Sequence, residues 1–166
     1  METSKVKALL KKAMENDNGE LLAEKLKEHS VDKTTIQALF FQSVLGGKNK
    51  CLKVLLGNGV NVNAILPMGE NVLTWAICNG NLTICNLLIE NNINVNQKTA
   101  LAKETPLMAA ARKEDHAIIK ALFCAGAQLS DVNKRGQTAQ DIATEMNKVD
   151  TASLLENLAS EPSFRP

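Results

Sequence analysis

The strongest constraint on this chain is an internal repeat. The segment Cys51-Leu52-Lys53-Val54-Leu55-Leu56-Gly57-Asn58-Gly59-Val60-Asn61-Val62-Asn63 returns as Ile84-Cys85-Asn86-Leu87-Leu88-Ile89-Glu90-Asn91-Asn92-Ile93-Asn94-Val95-Asn96, then as Ile118-Ile119-Lys120-Ala121-Leu122-Phe123-Cys124-Ala125-Gly126-Ala127. Gly59, Asn92 and Gly126 close these segments, 33 and 34 residues apart. A second set keeps the same register: Asn71-Val72-Leu73-Thr74-Trp75-Ala76, Thr105-Pro106-Leu107-Met108-Ala109-Ala110 and Thr138-Ala139-Gln140-Asp141-Ile142-Ala143. A chain with this period builds one supersecondary unit several times over, and each unit buries its apolar face only by stacking on its neighbours.

Each unit reads as two short amphipathic helices and a loop. Leu107, Ala110 and Ala111 have the i, i+3, i+4 spacing of one helical face, and Ile118, Ile119, Leu122 and Phe123 give the second helix its own. Thr105 before Pro106 is a helix start, because the Thr hydroxyl accepts from an orphan N–H and Pro at the first position has none to lose. Gly59 and Gly126 stand where a helix ends in a left-handed residue. Helices of about 8 to 10 residues are not stable alone, so the stack must hold them.

These motifs identify the chain as similar to ankyrin-repeat proteins. Thr105-Pro106-Leu107-Met108-Ala109-Ala110-Ala111 resembles the family's T-P-L-H-x-A-A, Leu122-Phe123-Cys124-Ala125-Gly126-Ala127 its L-L-x-x-G-A, and Asn61-Val62-Asn63 and Asn94-Val95-Asn96 the D-V-N opening its long loop. Ala13 to Leu26 resembles a divergent N-terminal capping repeat. The resemblance implies an all-α solenoid of stacked helix-turn-helix units with hairpin-like finger loops. One domain is expected over 1–160, with a cap at 1–33, units at 34–66, 67–100 and 101–133, a terminal unit at 134–160 and a tail at 161–166. No unit keeps the family's His: Phe41, Thr74, Met108 and Asp141 stand there. Unit 34–66 also has Ala38 and Leu39 for Thr and Pro, so its second helix carries its signal.

The resemblance also implies a function: fingers and first helices together line a concave surface that holds a partner protein. The residues matching those contact positions are Leu66, Pro67, Met68, Glu70, Cys78 and Asn79 in one unit. Leu101, Ala102, Glu104, Arg112 and Lys113 follow in the next, then Lys134, Arg135 and Gln137. Ile65, Leu66 and Met68 are large apolar residues in a loop place that is commonly polar, which marks an interaction patch with Arg112 and Lys113 as a basic rim. Packing of Ile65 and Leu66 inside the stack is an equal alternative. Trp75 fits either core packing or a partly open concave face.

Composition narrows the function classes. Nineteen Lys and Arg against 18 Asp and Glu, a formal charge of +1, give no footprint for nucleic acid or an anionic membrane. Lys48, Lys50 and Lys53 concentrate positive charge in 34–66, which reads first as a solvated turn and outer helix. No apolar run reaches the roughly 18–20 residues of a membrane span, and Met1–Lys12 is amphipathic, so a soluble, cytoplasmic protein is expected; a monomer is expected as well. The four Cys, at 51, 78, 85 and 124, lack metal-ligand spacing, and Cys51, Cys85 and Cys124 read as small core hydrophobes on second helices. No nucleophile elbow, phosphate-binding loop or H-E-x-x-H is present, so no catalytic, cofactor or metal residue is assigned.

The resulting expectation is a non-enzymatic module that binds another protein, its mechanism the preorganisation of a rigid surface. Three settings fit. The 17 Asn and absent Tyr match an AT-biased genome and a host-directed effector of an intracellular bacterium, which would act in host cytoplasm or nucleus. A eukaryotic regulator, such as an ankyrin-type inhibitor, and the binding arm of a larger enzyme are the alternatives.

Overall fold

The structure, a computed structural model, describes residues 2–66 and 68–160. Those residues form two compact units divided after Val62. The first contains α1 (Glu2–Glu15), α2 (Gly19–Glu28), α3 (Lys33–Leu45) and α4 (Asn49–Leu56). The second contains α5 (Val72–Cys78), α6 (Leu82–Glu90), α7 (Pro106–Lys113), α8 (His116–Cys124), α9 (Ala139–Glu145) and α10 (Val149–Ser160). The helices come in pairs, as the period predicts, and the described residues include one isolated bridge, Ile65 with Asn71, and no named strand.

In the first unit α1 packs on α2 and α3, and α2 on α4, around Leu10, Ala13, Met14, Leu22, Leu39, Cys51 and Leu55. The first helix of the 34–66 repeat departs from the register. It begins at Lys33, so Ala38 and Leu39 lie inside it rather than at its start. Asp32 supplies the missing cap: its carboxylate accepts from the Thr34 hydroxyl, the Thr35 hydroxyl at 2.7 Å and the Thr35 N–H at 2.8 Å. Those bonds hold its carboxyl well below the ordinary range, the Thr34 bond contributing most. A short link, 29–32, joins α2 to α3, so no finger is formed there.

The N-terminus of α4 is capped from another repeat. Lys48 has no capping side chain, and the Asp17 carboxylate instead accepts from the Lys50 N–H at 3.2 Å and the Cys51 N–H at 3.0 Å. Asp17 sits in the α1–α2 turn at φ 47°, and Lys48 Nζ returns a bond to the Glu15 carbonyl at 2.9 Å. Orphan donors of a helix end thus fix how two repeats dock.

In the second unit first helices pack on first helices, α5 on α7 and α7 on α9, and second on second, α6 on α8 and α8 on α10. Leu107, Ala110, Ala111, Ile118, Ile119 and Leu122 are all buried, as their spacing predicts. Cys124 is not: Cys51 and Cys85 lie in the core, whereas Cys124, the last residue of α8, points past the packed face and is exposed. Two of the residues that replace the family's His make a local hydrogen bond in its stead. The Met108 sulfur accepts from the Thr105 N–H at 3.4 Å, and the Asp141 carboxylate accepts from the Thr138 N–H and hydroxyl. The Thr74 hydroxyl is buried without a hydrogen-bond partner.

Candidate partner-binding site

The second unit has three finger segments: 63–71 leads into α5, 91–105 joins α6 to α7, and 125–138 joins α8 to α9. Each closes on itself through a backbone bond: Leu66 N–H to Glu70 O at 2.8 Å, Thr99 to Glu104 at 2.9 Å and Asn133 to Gln137 at 3.0 Å. Bonds between fingers then join them. The Ala100 N–H donates to the Gly69 carbonyl at 3.1 Å, and the Lys134 N–H to the Ala102 carbonyl at 2.9 Å. Lower down, the Asn63 side-chain oxygen accepts from the Asn94 N–H at 2.7 Å, and its counterpart Asn96 accepts from the Gln128 N–H at 2.9 Å. Repeated Asn–backbone bonds of this kind convert three loops into one preorganised edge.

The tips of that edge carry apolar side chains. Met68 is 59% exposed, Leu101 79% and Ile65 42%, and Ala102 is exposed beside Leu101. Leu66 corrects the expectation of an anchor offered to a partner: at 2% exposure it is core. The 65–66 pair alternates across the finger, so Ile65 faces out where Leu66 faces in. Pro67, the remaining apolar candidate, lies outside the described residues.

The polar candidates divide by what they already hold. Arg112 makes a two-pronged contact with Glu104, one bond at 2.9 Å and the other between Nη2 and Oε1, and those bonds push the guanidinium further up. Its charge is spent on fastening α7 to the second finger, which removes it from the free basic rim. Arg135 and Gln137 both bond to Glu145, at 3.1 and 2.6 Å, and hold that carboxyl below its usual range. Lys113 and Lys134 are exposed and join no ion pair among the described residues.

Near the end of α5, Cys78 and Asn79 are exposed and Glu70 half-buried. Asn79 bonds back to the Trp75 carbonyl at 2.9 Å, and local burial outweighs the pull of Lys113 to push the Cys78 thiol up. Trp75 is half-buried, and its indole N–H is enclosed without an acceptor, a combination of both expectations for this residue. Lys103, absent from the sequence candidates, stands exposed at the second fingertip. Its signal was available: the places 34 residues before and 33 after hold Gly69 and Gly136. Among the described residues no three His, Cys, Asp or Glu side chains converge as a metal site, and His116 Nε2 lies 2.9 Å from the Thr151 hydroxyl.

Comparison with known families decides what this arrangement is. Residues 4–99 match the family model of ankyrin repeats in three copies, and 103–137 match that of a single ankyrin repeat. The chain belongs to the ankyrin-repeat family. Ankyrin repeat and SOCS box protein 11 of Homo sapiens is 32% identical over 114 residues, which is 69% of this chain and 35% of that protein. The protein of the same name in Pongo abelii matches to the same extent. Dauer abnormal formation protein 25 of Caenorhabditis elegans is 34% identical over 91 residues, 55% of this chain and 24% of that protein. The chain spans about a third of the length of the first two relatives. Ankyrin repeats indicate a protein–protein interaction module, and proteins of this family are generally non-enzymatic. No described helix is long and apolar enough to cross a membrane.

Proposed function

We propose that this chain is a non-catalytic ankyrin-repeat module that holds a partner protein on the fingertip and first-helix side of residues 67–133. The observation that carries the reading is the joined fingertip edge, on which Met68 and Leu101 stand exposed while the backbone beneath them is fixed by bonds from finger to finger. Exposed apolar side chains on a rigid base suit recognition, since little loop entropy is lost on docking. The repeat register extends over nearly the whole chain, which favours a single ankyrin-repeat array over 1–160.

The asparagines that suggested an AT-biased genome have conformational work to do: Asn18, Asn71 and Asn81 cap helices, Asn92 and Asn147 are left-handed, and Asn63 and Asn96 bridge fingers. Those roles give a structural reason for seven of the 17 Asn. The animal relatives, one named for ankyrin repeats together with a SOCS box, favour the binding arm of a eukaryotic protein.

The test is a pull-down from animal-cell lysate with wild type, with Met68→Ala plus Leu101→Ala, and with Lys53→Ala on α4. The loop pair should weaken retention of the captured partner at least about thirtyfold, the equivalent of about 2 kcal/mol, with an unchanged melt. Lys53→Ala should retain it. Equal capture by all three would place the partner elsewhere on the chain.

A further inference from the structure

Lys103 is out of keeping with its position. The equivalent fingertip residues, Gly69 and Gly136, have φ of 84° and 75°, and Lys103 adopts the same left-handed backbone at φ 55°. A residue with a Cβ is strained there, and Gly would not be. Strain retained at an exposed tip is a reason to look for recognition at that tip. The surrounding charges give the recognition a sign. Four acids near these tips and first helices are engaged, Glu104 by Arg112, Asp131 by Lys98 at 2.8 Å, Glu145 by Arg135 and Glu114 by Lys148 at 3.0 Å, while Glu70 on the first finger is half-buried and joins no ion pair among the described residues. Lys103, Lys113 and Lys134 are exposed and enter no ion pair among the described residues. The bond from Lys134 N–H to Ala102 O holds the backbones of Lys103 and Lys134 on adjacent tips, beside Leu101 and, through Ala100, Met68.

We propose that this ridge takes an acidic peptide segment bearing one or two large apolar side chains. The inference rests on the fingertip reading above and specifies its partner. The apolar groups pack on Met68 and Leu101, while carboxylates pair with Lys103 and Lys134, and Lys113 extends the positive field toward the first-helix side. The charge complementarity sets register and association rate, and the apolar contact sets residence time. Nucleic acid is a poorer occupant: the tips 68–69, 100–103 and 134–136 offer no aromatic ring for a base to stack on, and the chain carries a formal charge of only +1.

The probe is a displayed library of random 12-residue peptides selected on the whole chain, with each selected peptide then synthesised and titrated. Selected sequences should be rich in Asp and Glu around Leu, Phe or Ile, and binding should weaken as salt is raised. Lys103→Gly with Lys134→Gln should lower affinity about tenfold or more. Lys103→Gly alone should at the same time raise the denaturant midpoint, because it relieves the strained backbone; a residue with a purely structural role would not separate stability from binding in this way. Neutral or basic sequences, or peptides that ignore the lysine variants and still lose affinity with Met68→Ala plus Leu101→Ala, overturn the acidic-segment inference and leave the fingertip reading standing. Selected peptides indifferent to both sets of variants, or no selected peptide at all, overturn both. Heparin or single-stranded DNA bound as tightly as the peptides, and lost with the same lysines, would show a polyanion site instead.

Discussion

Gly126 leaves α8 with φ 90°, and a Cβ built on it meets nothing within 4 Å. The cost of a side chain at this place is therefore backbone conformation alone, without a clash. Gly126→Val should lower stability by about 1–3 kcal/mol, and Gly126→Asn by less, since Asn tolerates the left-handed region better than a β-branched residue does. Asn92 performs the same turn at φ 60°, so Asn92→Gly should leave the midpoint unchanged or raise it slightly. Denaturant midpoints of the three variants check the order.

The buried thiols make a second residue-scale prediction. Burial pushes Cys51 up to about 11 and Cys85 up to about 12, with the nearby Asp17 and Asp115 carboxylates adding to it respectively. A native-state pKa above the unfolded value means that the stabilisation is complete below the unfolded value, near 9, and is lost as pH rises through the folded value. Stability should therefore decline between about pH 9 and 12, and less steeply in Cys51→Ala and Cys85→Ala than in wild type. Below pH 9 both thiols should resist alkylation until the chain unfolds, while the exposed Cys78 and Cys124 react.

At the scale of the element, helix ends decide how repeats meet. Asp17 lies outside α4 in the sequence and yet caps it, through bonds to the N–H groups of Lys50 and Cys51. Asp17→Ala should cost about 1 kcal/mol and loosen α4 against α2, whereas Asp17→Asn, which can still accept, should lose less. Amide exchange at Lys50 and Cys51 reports the effect locally. The close approach of these helices has a second requirement at Gly19, where an added Cβ would stand 2.9 Å from the Lys50 carbonyl oxygen. The longer α3 obeys the same rule: Asp32 offers a better cap than Ala38, so the helix starts at the cap rather than at the repeat's usual place.

For the whole molecule, the decisive distinction is between apolar loop residues that belong to the core and those that face a partner. Leu66 and Met68 are two residues apart, and their exposures differ from 2% to 59%. Leu66→Ala should destabilise the fold by about 2–5 kcal/mol, and Met68→Ala should leave the melt near wild type. A thermal melt of each single variant distinguishes them. The core itself holds no ligand cluster or disulfide among the described residues, so the expected effect of chelator or reductant on melting is within a few degrees.

The period of 33 to 34 residues determined the ankyrin-repeat architecture without help from the coordinates. Helix faces such as Leu107, Ala110 and Ala111, the cap at Thr105 and the turn at Gly126 depend on neighbours near in sequence, where spacing is a faithful record of geometry. Tertiary structure alone decided which of the sequence candidates stand exposed on the fingers and which are buried or tied to a neighbour. Composition cannot say that Leu66 turns inward and Met68 outward, that Arg112 is tied to Glu104, or that Asp17 caps a helix of another repeat. These outcomes depend on which of several chemically similar groups gains most from burial or pairing, and residues far apart in sequence settle that through burial and hydrogen-bond geometry. Lys103 falls between the two: its Gly siblings at 69 and 136 stand in the sequence, but the strain and the unpaired charge appear only once the fingers are folded together.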